Sequence, residues 1–289
     1  MLFLHKRIKQ ILRAGEATWG FCLLCFLSTK CPAAFEPHSS SARALAMASA
    51  CCAVSAEPTQ AIINPAAIGG AKGIRLSVST VKPYGLADLQ TQTAALVFSR
   101  SLWSCAGVWQ QFGASLYREE MVALTMARSM GGKTAVGITL RHAGLQISRY
   151  GRSQALMVDC GLWTRPYPAM ACGFSVSNLN EAKIGRCREP LPKIFRWGVA
   201  LSPLPAVQIT IDVSKDIHYP IDFSLGVELL LQSILCLRAG TGSEPGRFAA
   251  GMSCRISAVR FDYAVEFNAE LGATHQIGVV VWPGKSSEP

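Results

Sequence analysis

Residues 259–268, VRFDYAVEFN, decide the fold because apolar and polar side chains alternate along the whole stretch. The odd-numbered residues from Val259 to Phe267 are all apolar, whereas the even-numbered ones include Arg260, Asp262 and Glu266. Successive side chains of a β-strand point to opposite faces, so this pattern predicts a strand with one apolar and one polar face. Phe261 and Val265 are expected to face one side, and Asp262 and Glu266 the other.

The same alternation recurs from Gly73 almost to the end of the chain, for example in IDFSLGVEL at 221–229 and VQITIDVS at 207–214. It predicts about fourteen strands, most of them near the roughly 9–11 residues that a tilted transmembrane strand needs. The predicted strands lie at 73–81, 91–99, 103–117, 120–129, 133–147, 153–164, 168–178, 193–202, 205–215, 221–230, 232–240, 247–256, 258–268 and 273–282.

The predicted links between strands also alternate in length. Tight turns near 99–101, 130–132 and 202–204 are interleaved with longer links such as 82–90 and 179–192, and the short link 118–119 breaks the pattern. Short turns at one end and longer loops at the other are typical of outer-membrane barrels. The sequence therefore predicts an all-β fold, an antiparallel transmembrane β-barrel, with a soluble β-sandwich as the alternative.

Composition narrows the class of protein. The chain has 289 residues, 50% of them hydrophobic and 16% charged, and a mean hydropathy of +0.27. Outside the N-terminus no apolar run reaches the ~18 residues of a membrane-spanning helix. The net charge is +10, but the basic residues are scattered and form no cluster interleaved with aromatics. This distribution argues against nucleic-acid binding.

The polar face of the predicted sheet carries both charges and glycines. In a barrel this face lines the lumen, where charges pair through water and glycine leaves room for an inserted segment. A soluble sandwich would expose this face and would have no need of glycines there. The glycines concerned are Gly137, Gly161, Gly173, Gly198, Gly226 and Gly251.

The N-terminus has the order of features of a signal peptide. A basic stretch, Lys6 to Arg13, precedes the apolar segment Trp19–Ser28, and small residues at Pro32–Ala34 offer a cleavage site. We expect four regions: a signal peptide at 1–34, an N-terminal segment at 35–72, the barrel at 73–282 and a tail at 283–289. A buried helix or short anchor is the alternative for the first region.

Cysteine, histidine and sequence motifs provide no sign of catalysis. The eight cysteines after the predicted signal have no CxxC or zinc-type spacing, although the sequence is compatible with one or two disulfides among them. The five histidines lack metal-ligand spacing, so we expect no metal and no cofactor. GGKT at 131–134 fits a hairpin turn better than a phosphate-binding loop, and no GxSxG motif is present. The chain is therefore not expected to be an enzyme.

The segment before the first strand, ARALAMASACCAVSAEPTQAIINPAAI at 42–68, combines a run of small residues, an acidic turn and the motif Asn64-Pro65-Ala66. It resembles the N-terminal segment of FadL-like and PorV-like outer-membrane barrels, and its cysteine-rich style is similar to spirochaetal members related to long-chain fatty-acid transporters. Small residues suit a helix in a narrow lumen, and Pro65 would turn the chain toward the first strand. We expect a plug or gate in the lumen or across the periplasmic mouth; the alternative is a disordered periplasmic leader.

The resemblance implies passive uptake of hydrophobic small molecules, such as long-chain fatty acids, in the cell outer membrane. It also implies three partners: outer-membrane lipid, the hydrophobic ligand and the barrel-assembly machinery. Lumen arginines could meet a carboxylate of the ligand; pairing with lumen carboxylates is the structural alternative. The ligand or lumen candidates are Arg75, Arg141, Arg196, Arg260, Asp212, Asp222 and Glu228.

A second functional hypothesis is a PorV-like barrel that transports nothing and binds protein partners in secretion or at the cell surface. The long loop 179–192 would then be the contact site. Apolar residues in a lumen-facing N-terminal segment favour transport, whereas an exposed apolar loop favours partner binding. A soluble secreted β protein is the third hypothesis.

Overall fold

The computed structural model describes residues 34–36, 39–232, 234–268 and 271–283. The predicted signal peptide and C-terminal tail fall outside these ranges, except for one residue of each. Within the described ranges no helix has the length and apolar character needed to cross a membrane.

Fourteen antiparallel strands form a closed barrel in which sequence neighbours are also neighbours in space, and pairing of the first strand with the last closes it. The strands of the barrel are β1 (Gly73–Lys82), β2 (Thr91–Arg100), β3 (Trp103–Gly113), β4 (Tyr117–Met130), β5 (Thr134–Ile147), β6 (Gly151–Tyr167), β7 (Met170–Ser177), β10 (Ile194–Leu204), β11 (Val207–Asp216), β12 (Ile221–Leu231), β13 (Leu235–Gly242), β14 (Arg247–Ile256), β15 (Val259–Asn268) and β16 (Gly272–Val281). Two short strands, β8 (Lys183–Ile184) and β9 (Glu189–Pro190), form a hairpin in the loop between β7 and β10.

The predicted fold class is confirmed, and each predicted run corresponds to one strand of the barrel. Two boundaries are wrong: 202–204 is part of β10 and its turn follows at 205–206, and 118–119 is part of β4, whose preceding turn occupies 114–116. Gly113 has a φ of +88°, which only glycine adopts easily, and the Ala114 N–H donates to the Tyr117 carbonyl at 2.9 Å. The chain therefore reverses three residues earlier than the alternation suggested.

The two ends of the barrel differ in their connections. At one end, here called the short-turn end, the links are two or three residues long, for example 101–102, 168–169 and 257–258. The other, here called the long-loop end, carries the links 83–90 and 178–193. In outer-membrane barrels short turns are periplasmic and longer loops are extracellular.

The faces of the strands agree with the prediction. Phe261 is 51% exposed on the outside, whereas Asp262 is buried inside the barrel. Large apolar side chains cover the outer surface of every strand pair described, as a lipid-facing belt requires. Aromatic residues commonly lie at the two membrane interfaces of such barrels, and Tyr167, Trp197 and Tyr263 face outward here.

Two tryptophans near strand ends, where interfacial aromatics are common, lie in the lumen instead. Trp163 is buried and donates its indole N–H to the Ala53 carbonyl at 2.8 Å. Trp282 is buried among the guanidinium groups of Arg75, Arg255 and Arg260, whose centres lie 5.0–6.0 Å from its ring. Position along a strand did not reveal which face these residues occupy.

A charge placed on the apolar belt should be costly. Val265 points outward between Tyr263 and Phe267, so Val265→Arg would place a guanidinium in the bilayer. We expect this substitution to reduce barrel stability by about 2–4 kcal/mol if the site lies near the membrane midplane. Urea titration of folding into lipid vesicles measures the loss, with Val265→Leu as the apolar control. Equal stabilities of the two variants would contradict the assignment of faces.

The N-terminal segment runs through the barrel. Near its start the Phe35 N–H donates to the Glu119 carboxylate at 3.0 Å, at the long-loop end. Residues 39–71, here called the lumen segment, comprise the helix α1 (Ala42–Ala46) and 3-10 turns at Pro58–Ile62 and Pro65–Gly70. The chain then enters β1 at the short-turn end. Most residues of the lumen segment are buried, so the segment is packed against the barrel wall and is not an extended leader.

Candidate functional site

The lumen segment is seated on glycines of the barrel wall. All six glycines predicted to leave room lie against it, since a Cβ atom added at any of them would meet the segment within 3.0 Å. The pairs are Gly137 with Pro65, Gly161 with Asn64, Gly173 with Cys52, Gly198 with Cys52, Gly226 with Met47 and Gly251 with Ala46. This prediction is confirmed: wall glycines and small segment residues together let two backbones approach closely.

The Asn64-Pro65-Ala66 motif holds two parts of the segment together and fixes them to the wall. The Asn64 side-chain amide donates to the Cys52 carbonyl at 2.9 Å and to the Leu162 carbonyl of β6 at 3.1 Å. Its oxygen accepts the Ala66 N–H at 3.1 Å, and Pro65 begins the second 3-10 turn. Asn64 is fully buried and its amide is satisfied on both sides, so the motif is a structural clamp within the lumen.

Two charged residues of the segment pair with the wall. Arg43 contacts Glu228 at 2.9 Å and Glu57 at 3.2 Å, and Glu57 also contacts Arg260 at 2.8 Å. Glu57 therefore links α1 to the short-turn half of the barrel through Arg43 and Arg260.

The wall charges extend this network. Arg238 contacts Glu228 at 2.6 Å and Asp262 at 3.4 Å. Nearer the long-loop end Arg247 contacts Asp222 at 2.7 Å and donates to the Ala48 carbonyl at 3.1 Å. Asp222 thus acts on the segment through Arg247, whereas Glu228 contacts it directly. Such buried pairs are costly to break because the remaining charge is left without a partner.

Asp212 contacts the backbone of the segment at the double cysteine. Its carboxylate accepts the Cys52 N–H at 2.7 Å. Cys51 and Cys52 are fully buried, and both side chains act as small packing groups. All eight cysteines of the described residues are free thiols.

The remaining predicted arginines differ in their partners. Arg75 donates to the Ala56 carbonyl at 2.7 Å, and Arg141 donates to the Ile62 carbonyl at 3.1 Å and pairs with Asp159. Arg196 donates to the Ser177 hydroxyl at 3.1 Å. Within the described ranges Arg196 has no carboxylate within 4.0 Å, unlike Arg141 and Arg260. The structure thus brings most of the predicted lumen candidates onto the lumen segment, with Arg196 to one side.

An apolar cluster at the long-loop end was not predicted. It is formed by Ala143 and Met157 of the wall and by Ile184 and Leu191 of the loop 178–193, with Phe35 packed against them. Ile184 and Leu191 are only 2% and 1% exposed, although they belong to a loop. We call these five residues the apolar cap. Three isolated aliphatic residues in a polar loop, Leu179, Ile184 and Leu191, were the only signal available in the sequence.

The loop is held over the lumen by Asn178, a fully buried residue. Its N–H donates to the Asp159 carboxylate at 2.8 Å, and its side chain bonds to the Leu191 carbonyl at 2.9 Å and the Ala182 N–H at 2.8 Å. Since Asp159 also pairs with Arg141, the loop and the lumen segment share one anchor in the wall.

The barrel wall is incomplete beside the cap. β6 pairs with β7 only at 160–164 and at Tyr167, so the long-loop half of β6 lacks a strand on that side. The loop completes the wall instead: the Leu179 N–H donates to the Val158 carbonyl at 2.7 Å, and the Asn180 side chain bonds to Val158 and Leu156. We call this boundary the β6 seam. It depends on a few loop contacts in place of a continuous strand ladder.

The comparisons with known proteins identify the architecture. No family model and no curated protein matches the chain. Among solved structures, the Ralstonia pickettii toluene transporter TbuX is similar with a TM-score of 0.59 and 13% identity, over 83% of this chain and 96% of that one. The monoaromatic hydrocarbon channel CymD gives 0.61 and 12%, over 84% and 96%. A Pseudomonas aeruginosa FadL homologue gives 0.56 and 11%, over 85% and 97%.

These similarities concern the fold, since identity is low throughout. The chain shares a closed 14-stranded antiparallel barrel with the FadL-type hydrocarbon transporters. A closed barrel with an apolar outer belt is the architecture of outer-membrane proteins, in agreement with the predicted location.

Proposed function

We propose that this barrel is a passive channel for the uptake of hydrophobic small molecules across the outer membrane, and that it has no enzymatic activity. The observation that carries the proposal is the apolar cap. It offers buried aliphatic and aromatic contacts at the long-loop end, where a hydrophobic molecule would arrive from outside.

The route of the ligand follows from two features of the barrel, the lumen segment and the β6 seam. Straight passage is blocked because the lumen segment fills the centre of the barrel against the wall glycines. A ligand in the cap would lie beside the β6 seam, where the wall is made of loop contacts. Passage therefore requires movement of the loop, of the lumen segment, or of both.

Arg196 distinguishes two classes of ligand, fatty acids and uncharged hydrocarbons. Long-chain fatty acids would bring a carboxylate, and Arg196 is the lumen arginine best able to bind it because its hydrogen-bond partner in the described chain is a neutral hydroxyl. Arg75 and Arg260 lie at the opposite end and would meet a ligand only on exit. Uncharged aromatic hydrocarbons, which TbuX and CymD carry, would need only the cap. The link to spirochaetal members stays a prediction.

The partner-binding hypothesis is less favoured. An exposed apolar loop would support it, but Ile184 and Leu191 of the loop 178–193 are turned into the lumen. The buried apolar side chains of the lumen segment, such as Met47 and Ile68, instead favour transport.

Uptake by cells tests the proposal. Cells lacking their own hydrocarbon and fatty-acid transporters would express the barrel and receive labelled toluene or labelled oleate. We expect uptake above the empty-vector level, and a loss of about fivefold or more in Ile184→Asp/Leu191→Asp, because two charges would enter the cap. Leu179→Asp is the matched control, since Leu179 belongs to the same loop and is 50% exposed.

Heat-modifiable gel mobility would verify that both variants are folded in the outer membrane. Uptake no higher than in empty-vector cells, for both ligands, would overturn the proposal. Equal loss in the double variant and in Leu179→Asp would remove the cap from the route. Oleate uptake that depends on Arg196, tested with Arg196→Gln, would favour the fatty-acid alternative over the hydrocarbon one.

A further inference from the structure

Three residues form a row on the outer surface at the short-turn end. Arg100, the last residue of β2, is in register with Trp103 of β3, and Trp103 is in register with Arg128 of β4. All three side chains are exposed on the lipid-facing side of their strands. Since neighbouring strands lie about 4.8 Å apart, the two arginines are separated by roughly 10 Å with the indole between them.

The row lies at the edge of the apolar belt. Trp103 is 48% exposed, and the Arg128 guanidinium lies 5.2 Å from the centre of its ring. Phe98 and Met126, outward residues further along the same strands, are each 49% exposed. Tryptophan favours the boundary between hydrocarbon and headgroups, so this row marks the headgroup level of the membrane.

The two arginines have no hydrogen-bonding or acidic partner in the described part of the chain. Over the ranges 34–36, 39–232, 234–268 and 271–283, neither Arg100 nor Arg128 has a hydrogen bond or ion pair, whereas lumen arginines such as Arg43 and Arg247 pair with carboxylates. No acidic residue occurs at 91–117 or 121–158, which covers this part of the wall. Two cations at the headgroup level are thus available to an anion from the bilayer.

We propose that Arg100, Trp103 and Arg128 form a binding site for the phosphate of an anionic phospholipid in the leaflet at the short-turn end. A guanidinium group binds phosphate through paired N–H donors whose geometry matches the phosphate oxygens. An ammonium group matches this geometry less well. The indole supports the Arg128 guanidinium and contacts the glycerol region, while Phe98 and Met126 contact the acyl chains. The proposal rests on insertion of the barrel into a bilayer and does not depend on uptake.

Native mass spectrometry of the full-length barrel in detergent tests the site. The probes are phosphatidylglycerol and, as a zwitterionic comparison, phosphatidylcholine. We expect the wild type to retain phosphatidylglycerol preferentially, and Arg100→Gln/Arg128→Gln to bind it about tenfold more weakly, since hydrogen bonds between charged groups are lost.

The matched control removes two equivalent charges at the opposite end. Arg118 and Arg152 flank Gln146 in register near the long-loop end, so Arg118→Gln/Arg152→Gln has the same net charge as the test variant. It should retain phosphatidylglycerol as the wild type does. Equal weakening in both variants, or no preference for phosphatidylglycerol in the wild type, would overturn the proposal. Displacement by millimolar inorganic phosphate would also overturn it, because free phosphate lacks the acyl chains.

Discussion

Gly173→Leu is expected to displace the lumen segment while the barrel still forms. A Cβ atom at this position would press on the Cys52 carbonyl group and would lie 2.9 Å from the Asn64 amide. The Cys52 backbone and the Asn64 clamp cannot both make room for the new side chain without moving. Overpacking of this kind costs about 1–3 kcal/mol of stability. We expect the segment to move, which exposes Cys52 and opens the lumen. Maleimide labelling with peptide mapping measures the first effect, and liposome swelling with small sugars measures the second.

Gly107→Leu is the matched control for this variant. Gly107 lies on the outside of β3, and an added Cβ would meet only the Leu124 side chain, at an ordinary 3.9 Å. This variant should leave Cys52 unlabelled and permeability unchanged. If Gly173→Leu behaved in the same way, the close fit between the wall glycines and the segment would not hold the plug in place.

Deletion of residues 42–56 is expected to have the largest effect on permeability. It removes α1, the double cysteine and the Arg43 contacts with Glu228, so Gly198, Gly226 and Gly251 of the wall would lose the segment residues packed against them. The strands remain complete, because the fourteen-stranded ladder closes through β1 and β16 without the segment. We expect a barrel that still inserts but admits small solutes in liposome swelling several times faster than the wild type, because barrel diameter grows with strand number and 16-stranded porins already hold an aqueous channel.

Loss of the segment should also affect the charges that it neutralises. Glu228 and Glu57 would each lose Arg43 as a partner, although Arg238 would remain beside Glu228 and Arg260 beside Glu57. Arg43→Gln in the full-length chain separates the two effects, because it removes the ion pairs and keeps the bulk of the plug. Swelling rates and ligand retention that stay at the wild-type level after the deletion would mean that residues 42–56 do not gate the lumen.

Much of this fold could be predicted from the sequence because the pattern that defines it involves only residues close together in the chain. An alternation of period two assigns each side chain to a face wherever one face must be apolar. Phe261 and Asp262 could therefore be placed on opposite sides before closure of the barrel was known. The six lumen glycines were predicted on the same basis. They occupy the polar face, and a polar face exposed to solvent would not need glycines.

The candidate site was less predictable because its partners come from distant parts of the chain. Arg43 and Glu228, or Asn64 and Leu162, meet only when the segment is threaded through a closed barrel. The positions of Trp163 and Trp282 near strand ends would suit the membrane interface, but lumen contacts place both inside. The apolar cap was missed for the same reason: Ile184 and Leu191 are an ordinary loop sequence until Asn178 and Asp159 hold the loop inward.

The sequence by itself determined the strands, their number, the apolar outer surface and the presence of an inserted segment rich in small residues. These follow from side-chain periodicity and residue size, which act between near neighbours. The tertiary structure alone decided which lumen charge pairs with which, that Arg196 lacks a carboxylate partner within the described chain, and where the wall is completed by a loop. Those outcomes depend on distances across the lumen, which are fixed only when the first strand pairs with the last and the segment fills the space between them.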